Sequence, residues 1–448
     1  MNKLSHLYVL SVLAVGLCSC ETPYRRTELD FPLSYRQVDH VETNKIIPDR
    51  WWEQFGDADL NRIVVAVLAQ NDDLAAAGVR LSEANLEKTI SRRNQFPLIS
   101  ANLASLTTNG GTLYTGSASI SYQVDLWGRL SMMHSIAQWE AKATAQDLRA
   151  TRVSIIGSTC EVYWRIALLH QEFALGNAEL QYQSKLLAQT IIRHETGGAS
   201  QVDVNQAKEA VSAQAESVLD VKAQLQDARQ DLTLLLDGKS WPESQEPQGL
   251  PDREVPEVSP GLPADILRNR PDLVAAEERL REVLINYDLE RISQLPIYPS
   301  ITLTSATGGA GYQLKQALGA GTLQVNPEIS FPFLSYPTNV LSTDLARELY
   351  KESTFEFRKT VWQALHDVEN LLSTHDELEE QAKLIDDSVT NYGTIETQVA
   401  LEYSLGAVSS SSLYDAQQNL RNAKYNHLQN MYSRLVNQAS IFQGLGGG

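Results

Sequence analysis

Few residues of this 448-residue chain are placed to do covalent chemistry. The eight histidines form no HxxxH or HxH pair, so imidazole pairs at metal-ligand spacing are missing from the sequence. Aspartate and glutamate are abundant, but they fall on the polar faces of heptad helices, where solvation is their ordinary role. No nucleophile elbow and no phosphate-cradling glycine loop occurs. The pattern speaks against an enzyme, and neither a cofactor nor a metal is expected. Three cysteines are present, Cys18, Cys20 and Cys160, with no CxxC spacing for zinc or redox work. The one sulfur placed for modification is that of Cys20.

Its setting supplies the reason. Lys3 is followed by an apolar run over residues 7–17, too short to span a bilayer as a helix and consistent with a signal peptide. The run ends in Leu17-Cys18-Ser19-Cys20, which resembles a bacterial lipobox. Cleavage before Cys20 and acylation of its thiol would make residues 1–19 a lipoprotein signal peptide. Cys160 would then be the one free thiol. Residue 21 is Glu and not the Asp that often retains such lipoproteins at the inner membrane, so the outer membrane is the expected address. No other segment reaches the roughly 18 apolar residues of a spanning helix. With a net charge of −18, nucleic acid is excluded as a partner.

Strands and helices then alternate in an unusual order. In residues 117–126, Ala118, Ile120, Tyr122, Val124 and Leu126 alternate with Ser117, Ser119, Ser121, Gln123 and Asp125. That is a strand with one apolar and one wet face. After Trp127-Gly128-Arg129 the period becomes helical, and no proline recurs until Pro242. Gly110-Gly111 reads as the turn of a hairpin whose first strand covers residues 99–107. Before it, a helix is expected from Asp57 to about Asn94. After it, Leu148, Ile155, Val162 and Leu169 lie seven apart, as do Ile166, Phe173, Leu180 and Leu187. Such spacing implies helices packed side by side with a left-handed supercoil. Gly197-Gly198 ends that run, and Ser200 with Asp203 forms a capping-box start for the next helix, which ends near Gly238.

The second half repeats the first. Asn71-Asp72-Asp73-Leu74 aligns with Arg270-Pro271-Asp272-Leu273, and Arg80-Leu81 with Arg279-Leu280. A second hairpin is expected around Gly308, Gly309 and Gly311. Its return strand places Leu323, Val325, Ile329, Phe331 and Phe333 on one face, although Pro327 and Pro332 weaken it. Leu371, Leu378, Ile385, Tyr392 and Val399 continue at heptad spacing up to Gly406. The breaks align, Gly197 to Ala207 against Gly406 to Ala416. The expected organisation is a lipid-anchored arm at 20–56, a first repeat at 57–240, a proline-rich linker at 241–263 and a second repeat at 264–448.

Each long helix of about 67 residues would extend roughly 100 Å at 1.5 Å per residue. Four strands of about ten residues match the length of tilted membrane strands, but cannot close a barrel, for which about eight are needed. Two, three or four chains would satisfy that arithmetic. A periplasmic coiled-coil scaffold would explain the heptads but not the alternating strands.

These residues carry a resemblance. Residues 261–280, GLPADILRNRPDLVAAEERL, resemble the signature of the TolC/OprM-type outer membrane factors, as do WWEQFGDADL, SYQVDLWGRL and the closing LGGG. The resemblance implies a mainly α fold with a β part: a homotrimer whose 12-stranded transmembrane β-barrel, four strands per chain, is continued by a long periplasmic α-helical barrel. It implies a passive exit duct of a tripartite efflux pump, lipid-anchored in the outer membrane of a Gram-negative bacterium. Its partners would be a periplasmic membrane-fusion adaptor protein, an inner-membrane efflux transporter and outer-membrane lipid. A duct for type I protein secretion remains an alternative. The tips Gly197, Gly198, Ala199 and Leu405, Gly406, Ala407 would dock the adaptor. Asp415 matches the aspartate of the closed periplasmic aperture, while the family's second acidic position is Ser412 here and its often basic neighbour is Val408. Asp125, Trp127, Gly128 and Arg129 form the strand-to-helix junction, and the second junction, at residues 331–337, lacks the usual glycine.

Overall fold

The computed structural model describes residues 22–26, 29–32, 34–35, 47–108, 111–125, 127–251, 255–256, 261, 263–292, 298–307, 321–330 and 336–447. Cys20, Leu126, Gly110, Gly308, Gly309, Gly311 and the second junction at 331–335 lie outside the described residues. The helices are α1 (Ala58–Gln70), α2 (Asp72–Arg93), α3 (Arg129–Glu195), α4 (Gln201–Leu235), α5 (Ile266–Asn269), α6 (Pro271–Ile292), α7 (Tyr336–Ser404) and α8 (Ser410–Gly444). The strands are β1 (Leu98–Thr108), β2 (Gly111–Gln123), β3 (Tyr298–Thr307) and β4 (Gly321–Ser330). The chain is mainly α with a small β part. Its two compact units are residues 1–30, 78–147 and 272–361, and residues 31–77, 148–271 and 362–448.

The first unit holds the sheet, antiparallel in the order β1-β2-β3-β4. Its register aligns chemistry across all four strands. Ile99, Ile120, Leu303 and Val325 form one row, and Ser100, Ser119, Thr304 and Gln324 form the next. Facing residues in antiparallel strands share a side of the sheet, and the side alternates along each strand. Over the four rows that all strands share, from Leu98 to Ala101, the positions therefore alternate between mostly polar and mostly apolar. Ile99, Ala101 and Leu103 of β1 join the apolar side, whereas Leu98 and Leu106 fall on the other. Ile99 is 74% exposed and Leu103 60%, so the apolar side has no cover among the described residues. Beside the sheet, Met132 of α3 packs with Ile285 and Ile292 of α6, flanked by Trp127 and Trp139.

The second unit is built on heptads. In α4, Val204, Val218, Leu225 and Leu232 are buried, and so are Ala207, Gln214, Val221 and Ala228, two seams each seven-periodic. In α8 the buried heptad is Ala416, Ala423, Asn430 and Asn437. Asn430 Nδ2 donates to the Leu378 carbonyl at 3.2 Å, and Asn437 Nδ2 to the Leu371 carbonyl at 3.1 Å. The two asparagines thus read carbonyls one heptad apart on α7 and fix its register against α8. In α3 the seam past Phe173 differs from expectation. Gly176, Gln183 and Thr190 are buried, whereas Leu180 and Leu187 are only half-buried. Gly176 lets Gln214 reach its carbonyl at 3.0 Å, and Gln183 pairs with Gln417 at 3.1 Å.

Three separated sequence pieces meet in this unit. Trp51 stacks on Phe442 at 5.2 Å, and Phe55 packs on Trp164 at 4.8 Å. Arg270 donates to the carbonyls of Ala364 and Gly444, both at 3.4 Å. Gly446 has φ +87°, and a Cβ there would stand 2.2 Å from the Asn269 carbonyl oxygen. The WWEQFGD, RNRPD and LGGG segments therefore form one core. That core also corrects the single helix expected to run from Asp57 to about Asn94. The chain breaks at Asn71, whose backbone is extended at ψ 122°, ending α1; its Oδ1 then accepts from the Leu74 amide at 3.0 Å to start the next helix. Arg270, at ψ 117°, makes the equivalent break before Pro271.

These contacts set two expectations for stability. Trp164 is fully buried, so Trp164→Ala should cost ~3–5 kcal/mol and lower the unfolding midpoint. In the first unit, burial and the neighbouring Glu140 raise the Glu282 carboxyl from its ordinary 4.5 to about 7. Between those values the folded chain binds a proton that the unfolded chain has released, so this group's contribution is most favourable below 4.5 and is lost as pH rises to about 7. Glu282→Gln should therefore raise thermal stability at pH 8 and leave it nearly unchanged at pH 4, read by melting curves at the two pH values.

Candidate functional site

The residues singled out by sequence fall into two groups, one in each unit. In the first unit, Asp125 lies just past β2 and caps the helix beyond it. Its Oδ1 accepts from the Leu130 amide at 3.0 Å and its Oδ2 from the Ser131 amide at 2.9 Å. The carboxylate satisfies two orphan donors and faces the positive end of a 67-residue helix. Gly128, at φ +73°, makes the turn in the left-handed region that a side chain would oppose. Trp127 flanks the Met132 cluster, and Arg129 is the first residue of α3. Periodicity alone places Asp125 on the polar face of a strand. Its capping role appears only once the amides of α3 are seen to turn back on it.

In the second unit, the two helix tips share one construction. After α3, the Gly198 amide donates to the Arg193 carbonyl at 2.7 Å and the Gly197 amide to that of His194 at 3.0 Å. After α7, the Ala407 amide donates to the Glu402 carbonyl at 2.9 Å and the Gly406 amide to that of Tyr403 at 3.0 Å. Both are Schellman closures, with glycine at the left-handed position. The Ala199 carbonyl accepts from His194 Nδ1 at 2.9 Å. Leu405 is 75% exposed.

The helices that leave the tips start unequally. Ser200 caps α4, and Asp203 completes a reciprocal capping box. Ser409 caps α8 by accepting from the Ser412 amide, but the residue aligned with Asp203 is Ser412, so no carboxylate returns the bond. Instead, Ser410 Oγ donates to Asp203 Oδ1 at 2.7 Å, tying the second tip to the first. The Ser200 hydroxyl, and then that of Ser410, hold the Asp203 carboxyl below its ordinary range. Arg193 lies over the Tyr403 ring at 4.8 Å, a second tie between the tips. Sequence reasoning sees Asp203 only as a cap, because neither tie is visible until the tips stand side by side.

Ser412 and Asp415 lie a turn apart near the start of α8. Among the described residues, no hydrogen bond or ion pair reaches Asp415. It is also the only acid of a helix that carries Arg421, Lys424 and Arg434. Between the tips is a groove of about 600 Å³, lined by Tyr182, Leu186, Ile192, Tyr403, Leu405 and Leu413. Its mixture of aromatic and aliphatic side chains at exposed tips suits contact with another protein. Among the described residues, no group of His, Cys, Asp and Glu could hold a metal ion.

Comparison with known proteins gives consistent relatives. The chain is 27% identical over 382 residues to the toxin and drug export protein A of Aggregatibacter actinomycetemcomitans, covering 82% of this chain and 81% of that protein. It is 24% identical over 464 residues to the pyoverdine export outer membrane protein OpmQ of Pseudomonas putida, covering 99% and 97%. The fold is similar to that of the CmeC outer membrane channel of Campylobacter jejuni, with a TM-score of 0.85 at 21% identity over 96% of this chain and 95% of that one. Residues 63–238 and 262–447 match the outer membrane efflux protein family as two consecutive segments, in line with the duplication read from the repeats. The chain belongs to the outer membrane efflux protein family.

Proposed function

We propose that the chain is one third of a trimeric outer-membrane exit duct of a tripartite efflux pump. The observation that carries this reading is the sheet register, in which rows across the four strands alternate between mostly apolar and mostly polar. Such a sheet suits a wall with lipid on one side and water on the other. Three copies supply twelve strands and leave a water-filled lumen, whereas two would give eight strands and an interior filled by side chains. Exposed apolar ridges support the assembly. Val79, Leu86 and Ile90 on α2, and Leu341, Leu345 and Leu349 on α7, would each leave a monomer with an uncovered helix face. A coiled-coil scaffold gives no account of the sheet.

The helices of the second unit form the periplasmic tube, and their tips meet the adaptor. Leu405 and Ile192 at the groove provide apolar anchors, and Gly197 and Gly406 keep the turns narrow. Cys20 carries the lipid, and two residues on, the Thr22 amide donates to the fully buried Asp288 at 2.5 Å, while Arg26 Nε donates to Glu277 at 2.9 Å. The arm is thereby fastened to α6 close to the acylated residue. Transport through the duct is passive. The relatives named for toxin, drug and pyoverdine export differ in cargo, and cargo choice belongs to the inner-membrane transporter.

At the aperture, a threefold axis would gather three copies of Asp415. With Ser412 and Val408 in place of further charges, this ring sets ion preference and does not latch the gate. In planar bilayers the purified protein should conduct ions, and Asp415→Ala should lower cation preference with at most a modest rise in conductance. Absence of any conductance overturns the duct, and unchanged selectivity removes Asp415 from the aperture.

The clasp between the tips is tested separately. Because the folded pKa of Asp203 is depressed, its stabilisation is complete above the ordinary 3.8 and lost as pH falls through the folded value. Ser410→Ala should speed amide exchange at residues 197–204 and 406–413 roughly fivefold at pH 7, the loss of about one hydrogen bond. That difference from the parent protein should vanish in acid. Exchange that is equal in the two proteins at both pH values would mean that the clasp contributes nothing.

A further inference from the structure

A cationic cleft stands apart from both groups of residues. In the first unit, the last turns of α2 and the start of α3 enclose about 470 Å³ lined by Lys88, Arg92, Arg93, Phe96, His134 and Gln138. Among the described residues no acid lines it, in a chain whose net charge is −18. Lys88 Nζ donates to the neutral Asn85 Oδ1 at 2.9 Å, and His134 Nδ1 pairs with Ser91 Oγ at 3.1 Å, so neither contact offsets a positive charge. Among the described residues, no ion pair is formed by Lys88, Arg92 or Arg93. The helix dipole favours Arg92 and Arg93 in the last turn of α2. It does not account for Lys88, a turn earlier, or for the histidine contributed by a second helix.

The segment just beyond the cleft shows which surroundings its cations meet. Phe96 is 56% exposed, and Leu98 and Ile99, which open β1, are 68% and 74% exposed. At about 3.3 Å per residue, the first apolar strand residues lie within roughly 20 Å of Arg93. Basic side chains without an acidic partner, next to an exposed aromatic ring and an apolar strand end, suit a molecule with an anionic head and a hydrocarbon tail. We infer that this cleft binds the phosphate of an anionic membrane glycerophospholipid, with Arg92, Arg93 and Lys88 on the phosphate and Phe96 along the first acyl carbons. The inference rests on the reading of the strands as membrane-embedded. Free phosphate shares the head chemistry but would gain nothing from Phe96.

The full-length protein, released from detergent micelles, would be examined by native mass spectrometry with phosphatidylglycerol or phosphatidylcholine of identical chains. Lys88→Gln/Arg92→Gln/Arg93→Gln should retain phosphatidylglycerol roughly a hundredfold more weakly, since each basic group near an anionic lipid counts for about a factor of five. Arg92→Lys/Arg93→Lys, which keeps the charge, should retain it. Equal retention of the two lipids by the parent protein would overturn the site, as would unchanged retention by the Gln variant or loss in both variants. Displacement of the lipid by an equal concentration of inorganic phosphate would assign the cleft to free phosphate instead. If the Gln variant loses the oligomer while keeping lipid adducts, the cations face a neighbouring copy and the inference falls. The same spectra report the oligomer mass of the parent protein, so failure of the trimer reading is seen independently of lipid retention.

Discussion

Hydrocarbon offers no partner to a backbone amide, and β1 and β4 each present an outer edge that no described strand covers. The rest of the chain is arranged around that constraint. A sheet with one apolar and one polar side can stand at a lipid–water boundary only if its edges are paired, and the chain has no further strand among its described residues. In the duct proposed above, that pairing comes from other copies. The duplicated sequence supplies a hairpin in each half, and β2 pairs directly with β3, so the two repeats contribute to one continuous sheet.

The second unit meets a different requirement, which is to keep long helices in register without a thick core. It does so with small and amide side chains at heptad positions. Ala416 and Ala423 allow close approach, and Asn430 and Asn437 read carbonyls one heptad apart on α7. Buried amides in such seams fix register more than they add stability. The aromatic core of Trp51, Phe55, Trp164 and Phe442 then holds the short helices, the break at Arg270 and the glycine-rich terminus together. Duplication has left the tips alike in backbone and unlike in chemistry. The first has a complete capping box, whereas the second leans on Asp203 of the first through Ser410.

Much of this is legible in the sequence where one local signal suffices. Glycine after a heptad run marks Gly197 and Gly406, Ser200 with Asp203 marks a helix start, and alternation marks β2. Reading fails where tertiary structure overrides a local pattern. Asn71 lies in a helical stretch, and only its alignment with Arg270-Pro271 carries the signal that the helix breaks there. Apolar heptads point to Leu180 and Leu187 for the α3 seam; Gly176, Gln183 and Thr190 are buried instead, satisfied by Gln214, Gln417 and a backbone carbonyl. The carboxylate of Asp125 reads as the polar face of a strand, but it caps a helix. The ties between the tips join residues more than 200 positions apart, and no local pattern reports them.

Closure of the sheet is the claim on which the duct depends, and cysteine cross-linking across its open edges tests it most directly. Asn102→Cys on β1 would be combined in turn with cysteine at each β4 position from 322 to 328, and the protein oxidised in the membrane. The account predicts that one register yields a covalent species of three chains and nothing larger. A ladder continuing past three chains, or monomer at every register, would contradict it.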